Sequence, residues 1–246
     1  MRLVHTFNSG NGTTQTFRLT NNIQKLVFID VTAATDFLSV LNGLKIKANI
    51  TTPNQNDAVM ISKQPILLPV LISSEMGGVN YSKAGQYRYE VLLTPNGSLA
   101  LNNDNAYIDV ELTSSIAATN IKIYSDESPI VGKVFNTYKH QSLLSGSKTL
   151  NVANIYALCV DPKNFVDTSL RYANGIVDNL DLLNLEFPKQ KSISKLAYDL
   201  EEDQKIFNTS HLLLPLKRDG INVTTVDAEI TNDTKYTSLQ LTQYLS

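Results

Sequence analysis

Three histidines, one cysteine and a few acidic or amide clusters are the groups of this chain that could do chemistry. His5, His140 and His211 are far apart in sequence and lack the close spacing, such as H-x-x-x-H, that presents two imidazoles to one metal ion. Each reads as a surface or hydrogen-bonded residue rather than a base. Cys159 stands in the apolar run Ile155-Tyr156-Ala157-Leu158-Cys159-Val160, with no second cysteine and no histidine beside it. It reads as a small core side chain, not a nucleophile. No G-x-S-x-G elbow and no phosphate-binding G-x-x-x-x-G-K-[ST] loop is present. Ser9-Gly10-Asn11-Gly12-Thr13-Thr14 has the glycines of such a loop but no lysine, and it leads into β-forming residues, so a turn is expected.

Two facing carboxylates would make a glycosidase. Glu201, Glu202 and Asp203 read instead as a solvated cluster at a helix end, and Asp109 and Glu111 share the polar side of a strand with Tyr107. Asn102, Asn103, Asp104 and Asn105 could offer oxygens to a calcium ion, but their spacing matches no known loop and a turn accounts for them. Tyr87 and Tyr89 alternate beside Arg88 and Glu90, so a tyrosine platform for sugars is one reading; core packing or a subunit contact is the other. The chain contains no tryptophan, the residue favoured on such platforms. No catalytic, cofactor-binding or metal-ligating residue is assigned, no cofactor or small-molecule substrate is expected, and the chain reads as a non-enzyme.

The elements that would position any of these groups are strands. Lys25 to Val31 is a dense run of β-formers, and Leu44-Lys45-Ile46-Lys47-Ala48-Asn49-Ile50 alternates strictly between apolar and polar. Pro65 to Ile72 is apolar but holds two prolines, which predicts an edge strand or an extended covering segment, with burial in its own domain or a subunit contact as its role. Thr35 to Leu41 predicts a short helix capped by Thr35 and ended by Gly43. Ser192 to Glu202 predicts another, with Ile193, Leu196, Ala197 and Leu200 on one stripe.

The second half re-uses the pattern of the first. Val91-Leu92-Leu93 runs into Asn96-Gly97 and is followed by the alternating Ala106 to Leu112; Leu212-Leu213-Leu214 runs toward Asp219-Gly220 and is followed by Val223 to Ile230. Leu180 to Phe187 falls where the first half has Leu44 to Ile50, and the stretch from Asp126 to the restart at Lys148 reads as a link. The fold class is therefore all-β: two tandem β-sandwich (jelly-roll) domains, 1–125 and 126–246, with short helices in the connections.

Composition bounds the partners. Hydrophobic residues at 42% suffice for a core, and a net charge of −2 with no Lys/Arg run longer than a pair argues against coating nucleic acid. The opening Met1-Arg2-Leu3-Val4-His5-Thr6 does not read as a signal peptide, and no apolar stretch approaches the ~20 residues of a membrane span. Asn11, Asn49, Asn96, Asn208, Asn222 and Asn232 head Asn-x-Ser/Thr triplets that an Asn/Thr-rich chain produces by chance.

The repeated strand–turn–strand pattern around Asn96-Gly97 and Asp219-Gly220 resembles the double jelly-roll major capsid proteins of tailless icosahedral, membrane-containing bacteriophages of tectivirus and corticovirus type. The resemblance covers the whole chain and is one of architecture. It implies a homotrimer forming a pseudo-hexagonal capsomer, contacts with neighbouring capsomers and with an internal viral membrane, synthesis in a host cytoplasm and residence in the virion. A minor vertex or spike protein, or a two-module carbohydrate-binding or adhesive protein, is the alternative.

Overall fold

The computed structural model describes residues 1–10, 12–31, 36–116, 118–180, 195–207, 211–218 and 220–245. The strands up to the repeat are β1 (Arg2–Gly10), β2 (Thr14–Leu19), β3 (Lys25–Asp30), β4 (Leu44–Thr52), β5 (Gln55–Pro65), β6 (Tyr81–Lys83), β7 (Gln86–Leu92), β8 (Tyr107–Ser114) and β9 (Ala118–Asp126). There follow β10 (Val134–Leu143), β11 (Gly146–Asn151), β12 (Ile155–Val160), β13 (Phe165–Tyr172), β14 (Val177–Leu180), β15 (Lys195–Asp199) and β16 (Gln204–Phe207). The last are β17 (Leu212–Pro215), β18 (Lys217–Arg218), β19 (Ile221–Ile230) and β20 (Thr234–Gln243). Among the described residues two short helices, α1 (Phe37–Gly43) and α2 (Leu67–Glu75), interrupt them. The all-β class with short connecting helices is what the alternation predicts.

Two compact units divide these elements: residues 1–138, 195–207 and 242–246 form the first, and 139–194 and 208–241 the second. The sequence pattern places a single division near residue 125. The first unit extends past it because Phe135 and Tyr138, at the start of β10, are fully buried. Tyr138 Oη donates to Leu92 O at 2.6 Å, and Asn136 Nδ2 to the same carbonyl at 2.9 Å. The supposed link thus contains a strand.

In the first unit one sheet runs β1-β9-β3-β7-β6-β15-β16 and the other β10-β5-β4-β8-β2. Alternation dictates how β4 sits: Leu44, Ile46, Ala48 and Ile50 are buried, while Lys45 is exposed and Lys47 and Asn49 are half-buried. In register against them stand Leu112, Val110 and Ile108 of β8, opposite Ile46, Ala48 and Ile50. Burying each such Leu, Ile or Val favours the fold by about 1.5–3 kcal/mol, so a one-residue slip of register would expose the whole set. In β3, by contrast, Leu26, Val27 and Phe28 are consecutive and all fully buried.

Pro65 to Ile72 is not an edge strand. Pro65 closes β5, and the rest opens α2, whose residues from Leu67 through Ser73 are all buried. Pro69 is the third residue of this helix, where the missing N–H has no intrahelical acceptor to lose. A helix apolar on every side is a core helix, so the segment is no subunit contact. The Ser192 to Glu202 helix is overturned as well. Leu196 to Asp199 lie in β15, which pairs in parallel with β6 through Tyr198↔Tyr81 and Asp199↔Ser82. The helical stripe there is met equally by burial of Leu196 and Ala197 in an extended chain. Ile193 lies outside the described residues, as do residues 181–187. Thr35 does too; the cap of α1 is Asp36, whose carboxylate accepts from Ser39 N at 3.0 Å and Ser39 Oγ at 2.6 Å.

The two turn motifs do different work. Asn96-Gly97 does not close a hairpin, because β7 and β8 belong to different sheets. Gly97 takes φ +71° and packs against the backbone at 130–132. Ser98 N donates to Ile130 O at 2.7 Å, and Gly132 N to Ser98 O at 2.7 Å. A Cβ on Gly97 would lie 2.6 Å from Ile130 O, and one on Gly132 would lie 2.5 Å from Asn96 O. At the second motif β18 and β19 pair antiparallel, with Lys217↔Asn222 and Arg218↔Ile221 in register and Gly220 at φ +84°. Asp219 lies outside the described residues.

The second unit packs β17-β12-β20-β10 and β11-β19-β13-β14 around Leu158, Val160, Phe165, Leu170, Leu214, Val226 and Ile230. Cys159 is 1% exposed within β12.

Gly132→Ala is expected to destabilise the first unit by about 1–3 kcal/mol, because neither backbone can yield to the added methyl group. Gly97→Ala adds the penalty of its left-handed conformation. Urea unfolding of both variants checks this, and Gly12→Ala, whose Cβ would meet nothing within 4 Å, is the comparison for backbone strain alone.

Candidate functional site

The residues singled out for chemistry are dispersed. His5 on β1 stacks on Phe17, with ring centroids 4.7 Å apart, and bonds Gln15 at 2.9 Å. His140 on β10 bonds Thr237 Oγ1 at 3.0 Å, and burial, with lesser effects from Lys235 and His211, lowers its pKa to about 4. His211 is also lowered by burial, which outweighs the opposing pull of Asp161. The Cys159 thiol is pushed up to about 12 by burial, so at neutral pH it is not a thiolate.

Asp109 and Glu111 are engaged with cations, and Glu201, Glu202 and Asp203 face solvent. Asp109 receives both Arg18 Nε, at 2.7 Å, and Arg18 Nη2, at 2.8 Å, while the guanidinium lies 3.7 Å over the Tyr107 ring. Glu111 holds Lys63 Nζ at 2.8 Å. These bonds cross strands on the polar face of one sheet, as the alternation predicts. Glu201, Glu202 and Asp203 occupy the exposed turn between β15 and β16. Asn102 to Asn105 form a turn in which Asn105 has φ +50°. Among the described residues no group of three or more His, Cys, Asp or Glu side chains is arranged to hold a metal ion.

The Tyr87/Tyr89 platform does not exist as a surface. Tyr89 is fully buried and stacks on Phe28 with centroids 5.0 Å apart; Tyr87 is half-buried against Phe37 at 4.9 Å. One face of β7 is a core face, and both tyrosines belong to it.

The most unusual group beside them is one that sequence reasoning passed over. Glu90, also on β7, has none of its surface exposed. Its carboxylate receives Lys25 Nζ at 3.0 Å, Arg88 Nη2, and Val79 N at 3.1 Å. Its backbone N–H donates to Asn80 Oδ1 at 2.9 Å, and Asn80 Nδ2 donates to Leu196 O at 2.8 Å. The only sequence signal was an acidic residue amid Tyr, Val and Leu, which a polar strand face explains equally well. Register is what makes it a cluster: Lys25 stands opposite Leu92 and Val27 opposite Glu90, so Lys25 reaches Glu90 diagonally. The arrangement ties together four chain segments.

What the geometry presents is two β-sandwich units of separate cores. No protein-family model matches the chain, and no curated protein matches its sequence. Solved structures do match. The major capsid protein P2 of bacteriophage PM2 aligns over 98% of both chains at 11% identity and TM-score 0.55. The STIV major capsid protein aligns over 98% of this chain and 97% of its own, at 14% identity and TM-score 0.55. A chain of the Sulfolobus turreted icosahedral virus structure aligns over 98% and 89%, at 13% identity and TM-score 0.56. The fold is the double jelly roll of viral major capsid proteins. Within that fold Cys159 is a core residue, Asp109 and Glu111 make cross-strand pairs, Glu201 to Asp203 lie in a turn, and the Glu90 cluster braces β3, β7 and β15.

Glu90→Ala leaves Lys25 and Arg88 facing each other across a cavity and is expected to cost about 3–5 kcal/mol in urea unfolding. For His140 the sign is set by its lowered folded pKa. The unfolded chain takes up a proton near 6.5, whereas the folded one does not until about 4. This stability is therefore complete above pH 6.5 and is lost as pH falls toward 4. Thermal melts of His140→Gln should fall less steeply over that window than those of the parent chain.

Proposed function

We propose that this chain is a viral major capsid protein whose homotrimers form pseudo-hexagonal capsomers of an icosahedral shell. The observation that carries the reading is end-to-end coverage. Two β-sandwich units account for this chain as they do for major capsid proteins of a bacteriophage and of a Sulfolobus virus, with 98% of this chain aligned in each case. The division into two jelly rolls, placed by the sequence at 1–125 and 126–246, belongs to the same proposal, with residues 126–138, 195–207 and 242–246 lent to the first unit.

Physical reasons favour assembly over turnover. A duplicated sandwich lets a three-fold oligomer present six similar modules, which suits a hexagonal lattice of closed symmetric contacts. Glu90 is paired with two cations and Asp109 with Arg18, and Cys159 is buried in the core. We read the protein as non-enzymatic on that ground. The virion is its place, after synthesis in a host cytoplasm, and contacts with neighbouring capsomers and an internal membrane complete the proposal. No helix among the described residues is long and apolar enough to cross a membrane.

Light scattering on the purified chain should give three times the mass of one chain, and negative-stain images should show hexagonal outlines. A stable monomer that forms no lattice at high concentration would overturn the proposal.

A further inference from the structure

Near the start of β12 the second unit departs from regular pairing. Ile155 stands opposite Gln240 and Ala157 opposite Leu239, so Tyr156 is an extra residue on β12, a β-bulge. Bulges turn a side chain out of the ladder and recur beside binding sites. Tyr156 is 56% exposed, although Ala157 to Val160 after it are all buried. The Tyr156 ring, held outward from the strand, borders a depression.

That depression has a volume of about 550 Å³, within the range of small-ligand sites. Its apolar lining includes Leu216 and Leu241; its polar lining is Asn154, Lys217 and Asn222. Three backbone bonds hold the parts together. Leu216 N donates to Tyr156 O at 3.2 Å, Val223 N to Leu216 O at 2.9 Å, and Ile155 N to Val152 O at 2.9 Å. Lys217 of β18 and Asn222 of β19 stand opposite each other in register, so one antiparallel pair of strands carries both. No carboxylate among the described residues lies within ion-pairing distance of Lys217.

We propose that the depression formed by Tyr156, Asn154, Asn222 and Lys217 is a binding site for an acidic saccharide. A pyranose ring offers an apolar C–H face that stacks on a tyrosine ring, and that stacking needs an aromatic face open on one side. Each amide carries both a donor pair and an acceptor, which matches the donor-acceptor character of neighbouring sugar hydroxyls. The Lys217 ammonium is a point charge with three donors, and a carboxylate on the sugar is its complement. The site lies wholly in the second unit and holds whether or not the chain assembles a shell. It also moves the sugar-binding reading from Tyr87 and Tyr89, whose face is core, to a tyrosine that the fold turns outward.

The test is an array of neutral and carboxylated oligosaccharides probed with the full chain, followed by calorimetry on the strongest binder. Carboxylated glycans should respond, and Tyr156→Ala should weaken binding about tenfold or more, while Tyr156→Phe retains it. Lys217→Gln should weaken carboxylated glycans selectively and flatten the salt dependence. Because Tyr156 and Lys217 are exposed, unfolding midpoints of the variants should match the parent. An array with no response, or binding unchanged in Tyr156→Ala, overturns the site. So does a Tyr156→Ala variant that loses only its oligomeric state, which would make this face a subunit contact. Trimer mass is read separately, so failure of the glycan site and failure of the capsid proposal cannot be confused.

Discussion

A carboxylate with no exposed surface must be neutralised where it lies, and Glu90 imposes that requirement on the first unit. Charge burial is expensive unless cations and hydrogen bonds meet it. Glu90 is met by Lys25 from β3, Arg88 from its own strand and the backbone of Val79. Asn80, bonded to the Glu90 backbone, extends the bracing to Leu196, a residue more than a hundred positions onward. The next bonds follow the same line: Tyr198 N donates to Asn80 O at 3.0 Å, and Ser82 Oγ to Asp199 at 2.9 Å. A three-residue strand such as β6 would be a weak edge alone. With β15 added in parallel and locked by Asn80, it becomes interior.

The Gly97 and Gly132 contact is the other close tolerance of that unit. Two backbones approach within hydrogen-bonding distance where any side chain would intrude, which is why a turn that closes no hairpin still carries Asn-Gly. Tight backbone packing there and charge pairing at Glu90 are both structural devices.

Much of the architecture was legible in the chain. Strict alternation at Leu44 to Ile50 determines which side of β4 is core, and consecutive β-formers at Leu26 to Phe28 mark a strand covered on both faces. Where the reading failed, the failure has a physical cause. Pro65 to Ile72 misled because proline is penalised in a strand and in a helix interior but not in a helix's first turn. Ser192 to Glu202 misled because a few apolar residues fit a helical stripe and a buried strand equally, and only the vacancy beside β6 decides between them. Tyr87 and Tyr89 were correctly placed on one face, but a period of two does not say which face is wet.

The sequence by itself determined the all-β class, the inward and outward sides of the regular strands and the burial of Cys159. Each of these depends on local pattern or composition. Tertiary structure alone decided that Asn96-Gly97 joins two sheets while Asp219-Gly220 joins two paired strands, that Leu196 belongs with Asn80, and that Tyr156 faces out of a bulge. Those outcomes depend on register and on which distant strand supplies the missing hydrogen bonds, and neither is written in the spacing of residues along the chain.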